Sequence, residues 1–117
     1  MSAPGRHARH RLDETIHAPV RFSIVTTLAG SDEVEFSAVR DTVEVSDSVL
    51  SRQVSTLEAA GYVKVRKGYV GKRPRTWLSL TAAGRRALTA HLDALREIIG
   101  RPPREPREPA VTPPTET

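Results

Sequence analysis

The chain has 117 residues, a formal net charge of +4, 38% hydrophobic and 4% aromatic residues, and no cysteine. That length holds one domain, built mainly from Val, Leu, Ile and Ala, and so small a core is marginal unless a partner chain adds buried area. The lack of cysteine excludes a disulfide framework, thiolate metal sites and a cysteine nucleophile; with no apolar run near the ~18 residues of a membrane span, a cytoplasmic protein is expected.

Residues 1–11, with Arg6, Arg9 and Arg11, and the Pro-rich segment 101–117 lack periodic apolar positions. They are expected to be a disordered basic head and a disordered tail around a working domain at 12–100. Leu12, Ile16, Val20, Ile24 and Leu28 recur every four residues and predict an amphipathic helix, bent or split at Pro19. "SDEVE" reads as a polar loop. Phe36, Val39 and Val43 fit one face of a short helix beginning near Ser37. After "EVSD", Ser46 is placed as an N-cap with Asp47 at the positive helix end, and Leu50, Val54 and Leu57 mark the buried face of a third helix. Gly61 suits the left-handed position that ends it.

The apolar period then changes to two. Val63 and Val65, and later Leu78 and Leu80, predict two strands around the loop "KGYVGKRPR". Thr81 caps a last helix with Leu88, Leu92, Leu95 and Ile99 on one stripe, ended by Pro102 and Pro103. Charge is equally segmented: residues 12–61 hold three cations against nine acids, whereas residues 62–80 hold six cations and no acid. A solvated loop kept for solubility has no reason to exclude both acids. The excess of Arg over Lys, with plentiful Ala, Gly and Pro, points to a GC-rich bacterial genome.

The fold class expected is mainly α with a β-hairpin wing (α+β). In the stretch "VSDSVLSRQVSTLEAAGYVKVRKGYVGKRPRTWLSLTAAGRRAL", the phrases "LS", "LEAAGYV", "RPRT" and "LTAAGR" resemble the small single-domain winged helix-turn-helix transcriptional regulators of MarR and ArsR type. The resemblance spans 12–98. It implies a homodimer paired through the terminal helices, here Leu12, Ile16, Leu88, Leu92, Leu95 and Ile99, and it implies repression at a roughly palindromic operator. Ser48 and Val49 depart from the "GN" common at that point in relatives.

Rotation of ~100° per residue away from the apolar face puts Ser48, Arg52 and Ser55 outward, flanked by Ser51 and Thr56. Arg52 has the reach and fork to pair with guanine in a major groove. Lys64, Arg66, Lys67, Lys72, Arg73 and Arg75 form a wing for the phosphate backbone, with Pro74 stiffening its tip. Trp77 is a packing residue on the outer face of the hairpin; Tyr69 is left without a role. His17 and His91 are lone residues on different helices, structural or solvated, with a meeting at the dimer seam, where they would sense pH or metal, as the alternative. No catalytic constellation, cofactor or metal site is expected, and any small-molecule effector would sit near that seam. The competing expectation is a winged-helix protein-interaction module.

Overall fold

The computed structural model describes residues 6–100. Its elements run α1 (Glu14–His17), α2 (Pro19–Ala29), β1 (Val34–Glu35), α3 (Phe36–Val43), α4 (Asp47–Ala59), β2 (Val63–Val70), β3 (Arg73–Leu80) and α5 (Ala82–Gly100). The expected first helix is split where proline demands it. Pro19 opens α2 at a position whose missing N–H has no helical acceptor, and the extended Ala18 separates it from α1.

Ser46 caps α4 by accepting the Val49 N–H at 3.2 Å, and Asp47 lies in the first turn. Leu50, Val54 and Leu57 are buried, so the four-residue spacing of the sequence became the core face of the helix. Between α3 and α4 the chain turns tightly through Glu44, whose φ of 64° is left-handed and whose N–H reaches the Arg40 carbonyl at 2.8 Å. Arg40 then bridges Asp41 and Asp47, each at 2.9 Å, and ties α3 to the first turn of α4. Gly61 has a φ of 82° and ends α4 as expected.

Several expectations are corrected. Ala8–Arg11 form a 3-10 helix with Ala8 only 1% exposed, so the domain begins before Leu12 and that part of the head is ordered. Its His7 ring accepts the Arg9 N–H and Arg11 pairs with Glu97 on α5, which supplies the anchorage that apolar periodicity did not reveal. Residues 1–5 and the tail at 101–117 lie outside the described residues. The "SDEVE" stretch is not simply a loop: Val34 and Glu35 pair with Leu78 and Trp77, giving a three-stranded antiparallel sheet in the order β1-β3-β2. The long hairpin loop is also absent. Pairing continues to Val70 opposite Arg73, leaving a two-residue turn in which Gly71 takes a φ of 63°. Pro74 is tolerated within β3 because β1 reaches only Trp77 and Leu78, so that part of the strand has one neighbour.

The core joins Ile16, Ile24, Leu28, Val39, Leu50 and Leu78, with Leu88 entering from α5. Ile16 and Leu88, assigned to a dimer seam, are thus occupied within the protomer: α1 folds under α5 and turns both inward. Leu12, Leu92 and Leu95 are half-buried, and Ile99 is 80% exposed. The two histidines are not lone either. His91 is buried on α5 and its Nε2 lies 3.4 Å from His17 Nδ1 within the same chain.

Thr81 caps α5, accepting the Gly84 N–H at 2.9 Å while donating to the Gly61 carbonyl at 2.7 Å. Gly84 allows a close backbone approach, since a Cβ there would stand 2.3 Å from the Tyr62 carbonyl oxygen. Backbone cannot yield as a side-chain tip can. Gly84→Ala is therefore expected to lower stability by about 1 to 3 kcal/mol in urea unfolding despite its better helix propensity. Gly100→Ala, with nothing within 4 Å, serves as the neutral control.

Candidate nucleic-acid interface

Helix α4 is held from behind by Arg21, which donates to the Gln53 amide oxygen at 2.8 Å and to the Thr15 carbonyl at 2.6 Å. Its outward side carries the expected row: Ser48, Ser51, Arg52, Ser55 and Thr56 are all exposed. Among the described residues no acid pairs with the Arg52 guanidinium. The Thr56 hydroxyl turns back onto its own helix, donating to the Arg52 carbonyl at 3.3 Å.

Beside this row a cleft of about 680 Å³ separates α4 from the hairpin, with Ser51, Ser55 and Glu58 on one wall and Val65, Lys67 and Thr76 on the other. The register now sorts the hairpin, because successive side chains on a strand point to opposite faces. Val65, Lys67 and Tyr69 share the cleft face with their partners Leu78, Thr76 and Pro74. Tyr69, left without a role by the sequence, therefore lies on this face of the strand near the wing tip and is 73% exposed. Lys64, Arg66 and Val70 share the outer face with Ser79, Trp77 and Arg73.

That outer face is where Glu33, just before β1, and Glu35, within it, arrive. Glu33 accepts two hydrogen bonds from Arg66, at 2.8 and 2.9 Å, and Glu35 pairs with Arg75 at 3.2 Å. Arg66 also lies over Trp77, its Cζ 4.2 Å from the ring centroid. Gly68 leaves room for that stack, since a Cβ there would stand 3.1 Å from the Trp77 ring. Two of the six cations assigned to the wing are thus engaged with carboxylates. Among the described residues Lys64, Lys67, Lys72 and Arg73 form no ion pair, although Lys64 is close enough for its charge to act on Glu33. The sequence could not reveal this pairing, because the partners of Arg66 and Arg75 lie in a segment with no strand signal of its own.

A family described as "Winged helix DNA-binding domain" matches residues 20–99. Among solved structures, the chain is similar to a transcriptional regulator homologue from Pyrococcus horikoshii, at 26% identity and a TM-score of 0.69 over 74% of this chain and 86% of that one. It shares its fold with a MarR family transcriptional regulator from Streptomyces coelicolor determined in complex with DNA, at 23% identity and a TM-score of 0.60, covering 79% of this chain and 64% of that one. An uncharacterised protein of Methanocaldococcus jannaschii is 27% identical over 73 residues, 62% of this chain and 79% of its own. The chain belongs to the winged helix DNA-binding domain family. Its fold is that of the MarR family regulators among the solved structures.

Hydrogen bonds from Arg66 hold the Glu33 carboxyl below the ordinary value of 4.5; burial opposes this, and the charges of Arg66 and Lys64 reinforce it. Its pair with Arg66 is complete above the ordinary value and is lost as pH falls through the lowered one. Trp77 is the chain's one tryptophan and lies under Arg66, so its fluorescence reports the pair. An acid titration should show an emission change with a midpoint below 4.5 that is missing in Glu33→Gln. An identical change in the variant would separate Trp77 from this ion pair.

Proposed function

We propose that the protein is a sequence-specific regulator of double-stranded DNA, a repressor that acts as a homodimer on a palindromic operator in the cytoplasm of a bacterial cell. The observation that carries this reading is the exposed row on α4: hydroxyls at Ser48, Ser51 and Ser55 beside an Arg52 guanidinium that no described acid holds. Small side chains allow close approach in a major groove ~12 Å wide, and Arg52 supplies the fork that recognises the O6 and N7 of guanine. The S. coelicolor neighbour, determined in complex with DNA, supports a duplex as partner.

The wing supplies affinity. Lys67 and Tyr69 face the backbone that leaves the α4 groove, Lys72 sits in the turn, and Lys64 and Arg73 add charge from the outer side. Arg66 and Arg75 are braces: their carboxylate partners keep the hairpin at a fixed angle to β1 and reduce the positive charge open to phosphate. An interaction module would have no use for unpaired cations around an acid-free hairpin tip.

The dimer uses what the protomer leaves outside. Leu12, Leu92, Leu95 and Ile99 offer an apolar margin along the terminal helices, and a two-fold axis there sets two copies of α4 one turn of DNA apart, ~34 Å. Selection of bound duplexes from a random pool, with light scattering on the free protein, tests the whole reading. A palindrome and a dimer are expected; a monomer that enriches no sequence would contradict it.

On the selected operator, Arg52→Ala should cost ~1 to 3 kcal/mol and relax the preference at one base position. Equal losses on operator and random duplex would remove Arg52 from base recognition. Arg73→Ala should lower the salt slope of binding by about one, whereas Arg66→Ala should leave it near the parent value because its charge is already paired. Equal slope changes in both variants would mean that the Glu33 pair opens on the DNA.

A further inference from the structure

Away from the proposed DNA-facing surface, one chain of part-buried polar contacts crosses the domain. His91, in the middle of α5, is 1% exposed. Its Nδ1 accepts the backbone N–H of Asp13 at 2.9 Å, so that nitrogen carries no proton and the neutral ring holds its hydrogen on Nε2, facing His17. The Asp13 carboxylate works in two directions. Oδ1 caps α1 by accepting the N–H groups of Thr15 and Ile16 at 2.9 and 3.2 Å, and Oδ2 accepts the Tyr62 hydroxyl at 2.6 Å. Tyr62 directly precedes β2, and its carbonyl accepts the Thr81 N–H at 3.0 Å where the hairpin closes. Contacts therefore run without a gap from α5 through the start of α1 to the root of the wing.

A buried imidazole costs desolvation that packing alone would avoid, and a network of this kind, with a half-buried carboxylate at its centre, fixes one arrangement only while every partner is satisfied. We propose that His91 is a positioning residue for the wing: its neutral ring holds Asp13 in place to orient Tyr62, and proton uptake at Nδ1 releases that hold and weakens DNA binding. The inference rests on the DNA-binding reading of α4 and the wing. With a proton on Nδ1, a donor would confront the Asp13 N–H, and the ring or the start of α1 must move. Asp13 is attached to Tyr62, so the displacement reaches the hairpin root.

The groups facing His91 set the direction of the response. From α1 come His17, which disfavours a second positive charge, and the Asp13 carboxylate, which favours it. Helix α2 presents the Phe22 ring, with centroids 5.7 Å apart. The Tyr62 phenol reaches His91 through Asp13, and in the preceding 3-10 helix Arg11 is tied to Glu97, further along α5. Burial, then His17, lower the His91 pKa below 6.5, and Asp13 opposes this without reversing it. The unfolded chain therefore takes up this proton more readily than the folded one. The arrangement is complete above pH 6.5 and weakens as pH falls through the lowered value. His7, His10 and His17 are exposed.

The test measures affinity for a duplex selected by the protein, at fixed salt from pH 7.5 to 5.5. His91→Asn keeps an amide oxygen to accept the Asp13 N–H but takes up no proton. The wild type should lose affinity several-fold relative to this variant, bounded by about tenfold per pH unit for one proton. Tyr62→Phe should remove the pH response of binding while thermal stability still falls with pH as in the wild type. Parallel binding profiles for wild type and His91→Asn would overturn the proposal, as would an unaltered response in Tyr62→Phe. Independently of variants, an NMR titration of the full chain should show the His91 ring and the Tyr62 and Val63 amides shifting with one midpoint. A His91 titration without amide shifts at the wing root would overturn it even if every variant misfolds. Failure to bind any duplex at any pH would refute the DNA-binding reading instead, leaving that titration to decide the coupling.

Discussion

The antiparallel register of β2 on β3 governs more of this molecule than any single contact, because setting Val65 opposite Leu78 determines which face every later hairpin residue occupies. A slip of one residue would bury Lys64 and Arg66 and turn the valines to solvent. In the observed register, the apolar positions close the core, Lys67 lines the cleft beside α4, and Arg66 and Arg75 meet Glu33 and Glu35. The short β1 strand is what gives the outer face its acids. Two residues of pairing are enough to bring Glu33 and Glu35 beside a hairpin that the chain's order alone would leave uniformly basic.

The consequence for recognition is a division of work between charge that is open and charge that is neutralised. Exposed ion pairs add little to stability, commonly about 0 to 1 kcal/mol, so the Glu33 and Glu35 pairs matter more for orientation and for the potential around the wing than for holding the fold. The hairpin root is fixed by tighter means: the approach of Gly84 to the Tyr62 carbonyl and the capping of α5 by Thr81. These contacts join the last helix to the wing.

Local features were legible in the sequence and long-range pairings were not. Ser46 with Leu50, Val54 and Leu57 announces α4 because capping and helical spacing act within one element. The outward row at Ser48, Arg52 and Ser55 follows by rotation alone. The strand at Val34–Glu35 was hidden because two residues cannot establish a period and its partners stand more than forty positions away. Gly71 and Pro74 exaggerated the hairpin loop, since both residue types usually mark irregular chain, whereas here one makes a tight turn and the other lies on a strand with a free edge. His17 and His91, 74 positions apart, meet only once α1 folds under α5. That same fold draws Ile16 and Leu88 inward, away from the seam that periodicity had assigned them.

The central claim is that α4 and the cleft-facing side of the hairpin bind duplex DNA together while the outer face stays braced by β1. Mapping backbone amide shifts on the full chain as a selected duplex is added tests it most directly. The account predicts the largest shifts from Ser48 to Thr56, at Lys67 and Tyr69, and in the Gly71–Lys72 turn, with small changes at Glu33 and along α5. Shifts centred on α5, with α4 unmoved, would contradict it.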